Sequence, residues 1–231
     1  MGKWKKWLSA GLFTAMLGTA IIAGPTADVS ANAGNKPYNI ENVSPDAHLA
    51  PSVGDSSSKT SSKAWHKIDG VCYNGSGKKV EGAITRGMDV SEWQGKINWK
   101  EAKKDLDFAF VRISYGTRHL DDYYDYNMTE AEAADVPVGT YVYSLAKTNK
   151  EALAEAQLAI RQMQGHKVSY PVAFDLEDEA TLGTLTRKEI SQIALTFCDE
   201  IRKAGYTPIL YMNLNWYNNF VDWNVLEGSG L

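Results

Sequence analysis

From Gly87 onward the chain alternates between two textures. Near-continuous apolar runs occupy residues 87–91, 108–114, 138–144, 172–177 and 208–213. Runs of that length predict strands buried on both faces of a parallel sheet. Between them, apolar positions recur at helical spacing behind helix-start signals. Thr186-x-x-Glu189 is a capping-box pattern and opens a predicted helix with Ile190, Ile193, Ala194, Phe197 and Ile201 on one face, stopping at Gly205. Thr148-x-x-Glu151 opens another over 149–164, with Leu153, Ala156, Ile160 and Met163 expected inside, and Asn98-x-x-Glu101 resembles a third start. Repeated strand–helix units imply right-handed crossovers, and hence an α/β fold that is either a doubly wound sheet or a barrel.

The first 85 residues have a different pattern. In 65–85, Val71-Cys-Tyr73 and Lys79-Val80 flank Asn74-Gly-Ser-Gly77, which predicts a small hairpin. Residues 34–64 are rich in Ser, Asn and Pro with few large apolar groups, as in a flexible linker. Residues 1–33 have the layout of a signal peptide: Lys3, Lys5 and Lys6, then an apolar stretch from Leu8 to Ala23, then Ala31-Asn32-Ala33 as a cleavage site. Ser9, Gly11, Thr14 and Gly18 interrupt that short stretch, which favours cleavage over a membrane anchor. The expected product is secreted, extracellular or cell-wall associated, without stable membrane insertion.

Composition narrows the chemistry. The chain has 231 residues, 44% hydrophobic and 23% charged, with a net charge of −4. That balance gives no reason to expect a nucleic-acid partner. His48, His66, His119 and His166 are scattered without metal-ligand spacing, so neither metal nor cofactor is expected. Cys72 and Cys198 lie far apart in sequence, and a disulfide between them is left open.

The candidate chemistry lies at the ends of the predicted strands. Tyr170-Pro-Val-Ala-Phe-Asp-Leu-Glu177 is apolar until its two acids. Alternation along a strand puts Asp175 and Glu177 on one face, where like charges raise each other's pKa. A lone Asp-x-Glu is more often a solvated strand end. Here Asp89 lies on the first strand as well, and Arg112, Tyr143, Tyr211 and Asn213 fall near the ends of the second, third and fifth. Trp93, Tyr115, Tyr141 and Trp216 supply rings suited to sugar faces, although core packing serves Trp93 and Tyr141 equally well. Arg112 suits either a substrate carboxylate or an inward acid. Asp121, Asp122, Asp125, Glu130 and Glu132 are expected to form a solvated acidic stretch. Polar residues spread over five strand ends favour a barrel rim over a single switch point.

Four segments together resemble the glycoside hydrolase family 25 lysozymes, the Chalaropsis-type N-acetylmuramidases. They are Gly87-Met-Asp-Val-Ser-Glu-Trp-Gln-Gly-Lys-Ile-Asn-Trp99, Phe108-Ala-Phe-Val-Arg-Ile-Ser-Tyr-Gly116, Val138-Gly-Thr-Tyr-Val-Tyr143 and Pro171-Val-Ala-Phe-Asp-Leu-Glu177. The resemblance implies a TIM-like (β/α) barrel and cleavage of the β-1,4 bond between N-acetylmuramic acid and N-acetylglucosamine in peptidoglycan glycan strands. It implies Glu177 as general acid, Asp175 as its neighbouring acid and Asp89 as the first-strand acid. Arg112, Tyr143, Tyr211, Trp93, Tyr115 and Asn213 are expected to bind substrate. About five of eight strands are accounted for, so residues 86–231 are expected to be an incomplete, C-terminally truncated barrel. The competing expectations are an inactive glycan-binding fragment and another barrel glycosidase, such as a chitinase-like enzyme.

Overall fold

The computed structural model describes residues 66–74 and 77–231; the expected signal peptide (1–33) and linker (34–64) lie outside them. The first paired segments are β1 (His66–Ile68) and β2 (Val71–Tyr73), which run antiparallel. Asp69 and Gly70 join them, both with positive φ, the backbone that a two-residue Asp-Gly hairpin turn requires. This hairpin precedes the predicted one, which is present in reduced form: Tyr73 bridges Lys79 antiparallel, the Asn74 N–H donates to the Lys78 carbonyl at 2.9 Å, and the Val80 N–H donates to the Cys72 carbonyl at 2.8 Å.

Five parallel strands carry the rest of the fold. They are β3 (Gly87–Val90), β4 (Phe108–Tyr115), β6 (Val138–Tyr143), β7 (Val172–Asp175) and β8 (Pro208–Tyr211), in spatial order β3-β4-β6-β7-β8. The short β5 (His119–Leu120) folds back antiparallel onto the end of β4. The sheet is open among the described residues, with β3 and β8 at its edges, rather than a closed barrel. β7 stops at Asp175, so Glu177 lies just beyond the strand in which the apolar run placed it.

The helices are α1 (Trp99–Ala102), α2 (Tyr124–Ala133), α3 (Asn149–Met163), α4 (Glu179–Leu182), α5 (Arg187–Lys203), α6 (Leu214–Asn219) and α7 (Trp223–Leu226), with a 3₁₀ turn at Glu92–Gln94. Thr186 and Glu189 close a reciprocal capping box at the start of α5. Thr148 caps α3 only from its own side, because Glu151 accepts instead from the Lys147 N–H. Helix α5 buries the predicted face in full. Helix α3 is rotated relative to expectation: Ala152, Glu155, Ala156, Ala159 and Met163 are buried, while Leu153 and Ile160 are only half-buried. The inward face includes Glu155, which accepts from the Ser144 hydroxyl and the Leu145 N–H of the β6–α3 connection.

The two faces of the sheet have different jobs. Val111, Ile113, Val138, Val142, Val172, Phe174 and Leu176 pack with α2, α3 and α5 in the main core, where Phe174 stacks on Phe197 at 4.1 Å. The opposite face carries a smaller cluster of Phe108, Phe110, Ala173, Ile209 and Tyr211 below the candidate site. Its rings need room. A Cβ on Gly87 would meet the Phe108 ring at 2.1 Å, and one on Gly139 would meet Phe110 and the Pro171 carbonyl at 2.6 Å. Cys72 and Cys198 are buried free thiols in separate clusters, and no described helix is long and apolar enough to cross a membrane.

Candidate active site

Parallel strands in register bring successive strand ends to one rim. Asp89 lies opposite Phe110, Arg112 opposite Tyr141, Tyr143 opposite Asp175, and Asp175 opposite Tyr211. All belong to the face away from the main core. The rim thus collects Asp89, Arg112, Tyr143, Asp175 and Tyr211 from five strands, with Glu177 following from β7.

The three carboxyl groups share one electrostatic environment. Burial pushes Glu177 up to about 7, against hydrogen bonds from the side chain and backbone of Asn213. Burial likewise raises Asp89 to about 7, with repulsion from Glu177 adding to it. Asp175 is only 6% exposed and sits well above the usual carboxylate range, through burial and then the charges of Glu177 and Asp89, with Arg112 opposing. Oδ1 of Asp89 and Oδ1 of Asp175 are buried without a hydrogen-bond partner in the protein. Unsatisfied buried oxygens are costly when ionised, so the cluster favours holding protons at neutral pH.

The other predicted residues have varied fates. Arg112 is occupied by acids of the rim: its Nε donates to Asp121 at 2.9 Å, and its Nη2 pairs with Glu92 at 2.9 Å. Tyr143 stacks on Tyr115 with ring centres 4.8 Å apart. Tyr115 in turn donates to Asp178 at 3.0 Å, and Asp178 caps α4 through the Thr181 N–H. Tyr211, on the same rung as Asp175, is buried with the other rings of that face, and Trp216 is buried against Phe220, so neither ring is presented to solvent as a sugar platform. Trp93 is 43% exposed on its 3₁₀ turn, and Asn213 is exposed at the start of α6.

Tyr115 reaches the rim through a β-bulge. The register between β4 and β6 slips between Arg112 and Ser114, so Tyr115 lies opposite Tyr143. Strict alternation would have turned Tyr115 to the helix side.

Three acids that hold the rim's side chains in place are not distinguished by sequence alone. Asp121, expected to be solvated, is buried and accepts from Arg112 Nε and from the Glu92 and Tyr123 N–H groups. Glu92 joins Arg112 to His119, holding the Trp93 turn against β5. Asp178 pins Tyr115. An arginine inside an apolar strand is itself a signal for an acid facing it, whether of the protein or of a substrate, and Asp178 is of a residue type that favours the helix cap it forms before α4.

The model for "Glycosyl hydrolases family 25" matches residues 88–229. Lysozyme M1 of Streptomyces globisporus is 38% identical over 60 residues, covering 26% of this chain and 20% of that protein. The uncharacterized protein YegX of Escherichia coli K12 is 26% identical over 139 residues, covering 57% of this chain and 49% of that protein. The chain thus spans about half the length of YegX. A family 25 glycosyl hydrolase from Bacillus anthracis shares the fold with a TM-score of 0.55 at 22% identity, over 72% of this chain and 70% of that one. The autolysin LytC of Streptococcus pneumoniae, solved with a synthetic peptidoglycan ligand, gives a TM-score of 0.58 at 22% identity, over 67% of this chain and 39% of that one.

Proposed function

This chain belongs to glycosyl hydrolase family 25, and from that premise we propose that it is a secreted lysozyme that hydrolyses the β-1,4 bond between N-acetylmuramic acid and N-acetylglucosamine in peptidoglycan. The observation that carries the reading is the carboxyl cluster, in which burial raises Glu177 to about 7 beside Asp175 and Asp89. A glycosidic oxygen leaves only if it is protonated, so the acid must hold its proton near neutral pH. Glu177 takes that role. Asp175 repels charge on Glu177 and faces the same space, where it stabilises positive charge developing on the sugar once ionised. Asp89 adds a third carboxyl from the opposite side of the rim. The Tyr115–Tyr143 stack and Trp93 offer ring faces to the sugars.

The strand order and the gathering of polar groups at strand C-termini support a barrel-type site. Export rests on the basic, apolar and small-residue sequence of positions 1–33, which places the enzyme beside its wall substrate.

The experiment is turbidity loss of a purified cell-wall suspension by the full chain and by Glu177→Gln. General acid catalysis supplies about 10²–10⁴-fold. The variant should lose at least about a hundredfold in rate with its wall binding retained. Equal rates in the two proteins would remove Glu177 from the mechanism, and binding without cleavage by the parent would leave a glycan-binding module.

A further inference from the structure

Helix α6 starts at the candidate catalytic carboxylate and leads away from it. Its capping residue, Asn213, hydrogen-bonds Glu177 and accepts from the Trp216 N–H at 3.1 Å. One turn later the Tyr217 N–H donates to the Asn213 carbonyl at 3.0 Å, so Tyr217 follows Asn213 by one helical pitch, about 5.4 Å. Trp216 and Phe220 stack at 4.4 Å on the inward side of this segment. Leu214 and Tyr217 are left on the outward side.

A second ring completes that outward side. Trp223, at the start of α7, lies 4.4 Å from the Tyr217 ring at a 45° tilt, and its Nε1 donates to the Tyr217 carbonyl at 3.0 Å. The indole is therefore fixed in place while still 38% exposed, beside Tyr217 at 49%. Residues 213–224 carry one charged side chain, Asp222, whereas amides recur at Asn215, Asn218, Asn219 and Asn224. Fixed rings amid neutral hydrogen-bonding groups match an uncharged polyhydroxylated ligand, which offers C–H faces to rings and hydroxyls to amides. Residues 213–224 offer no cation to an acidic peptide or a nucleic acid, and their single acid, Asp222, is engaged in capping α7 through the Asn224 N–H.

We propose that Tyr217 and Trp223 form an outer sugar-binding subsite that holds the glycan strand beyond the Glu177 end of the cleft. The inference rests on the reading of the rim as a glycan-cleaving site, and its occupant is a further saccharide unit of the same strand. Chain length then becomes a determinant of recognition: a longer glycan gains a contact that a short one cannot reach.

The test measures cosedimentation of the full chain with purified peptidoglycan, in a Glu177→Gln background so that the sacculi stay intact. Trp223→Ala and Tyr217→Ala should each weaken binding about tenfold, equivalent to about 1.4 kcal/mol. Trp223→Phe, which keeps a ring, should recover most of the loss, and far-ultraviolet circular dichroism should be unchanged throughout. Binding equal to that of the parent in both alanine variants overturns the subsite. Loss of binding with no rescue by Phe, or with altered circular dichroism, also overturns it, since the rings would then serve folding alone. A parent that does not bind peptidoglycan removes both the subsite and the lysozyme reading. If platform variants lose binding while Glu177→Gln still cleaves as fast as wild type, only the catalytic assignment falls.

Discussion

Replacing Glu155 with Gln should make the protein's stability markedly less sensitive to pH. Glu155 is 2% exposed on α3 and accepts from the Ser144 hydroxyl at 2.8 Å and the Leu145 N–H at 3.0 Å. Burial raises its pKa from 4.5 to about 7 against both hydrogen bonds. A raised carboxyl pKa means that the folded state binds the proton more tightly than the unfolded chain does. Its favourable contribution is therefore complete below the unfolded pKa and is lost as pH rises through the folded one. At about 1.36 kcal/mol per unit, the loss between about pH 5 and about pH 8 amounts to about 2–3 kcal/mol. Gln keeps an acceptor for Leu145 and cannot ionise, so that component vanishes in the variant. Asp89, Asp175 and Glu177 titrate in both proteins and cancel in the comparison. Urea denaturation of wild type and Glu155→Gln at the two pH values gives the difference directly. Glu155→Gln should gain about 2–3 kcal/mol relative to wild type on going from the lower to the higher pH. Parallel curves, with the same offset at both pH values, would refute the claim that Glu155 is held above its unfolded pKa.

Two further outcomes follow from the same geometry. Because Glu177 must be protonated and titrates near 7, wall lysis should fall by about tenfold per pH unit on the alkaline side of that value, with an acid limb where the partner carboxylate gains its proton; a rate that climbs through neutral pH in a turbidity assay contradicts the assignment. Gly139→Ala would place a methyl 2.6 Å from both the Phe110 ring and the Pro171 carbonyl, and should cost about 1–3 kcal/mol in chemical denaturation, whereas an unchanged midpoint would mean that β6 and β7 are not packed this closely.

Much of this fold could be read from local pattern, because its strands are buried and its helices capped. The five apolar runs became the five parallel strands to within one or two residues, and α5 followed its periodicity from Thr186 to Gly205. What stayed hidden depended on contacts between distant segments. Glu155 looks like one more surface acid on an amphipathic helix until Ser144 and Leu145, ten or so positions earlier, draw it in. Asp121 sits within a run of acids, and only the buried Arg112 separates it from Asp122 and Asp125, which are exposed. Tyr211 does reach the rung of Asp175, but its ring, like that of Trp216 on the underside of α6, is spent on packing that sequence position does not reveal. The Tyr115–Tyr143 stack was invisible for another reason: Arg112-Ile-Ser-Tyr115 scans as regular polar–apolar alternation, and nothing in those four letters marks the slip.

That slip in β4 changes how this strand can be compared with its relatives. Below it, even-numbered residues such as Phe108, Phe110 and Arg112 face the cleft; above it, the parity inverts and Tyr115 does. An alignment drawn without a gap through Ile113 and Ser114 would equate Tyr115 with a core-facing residue in any homologue whose strand runs straight. At identities of 22–26%, a one-column error of this kind carries no penalty large enough to expose it. Roles along this strand are better transferred by rung of the sheet than by column of the alignment.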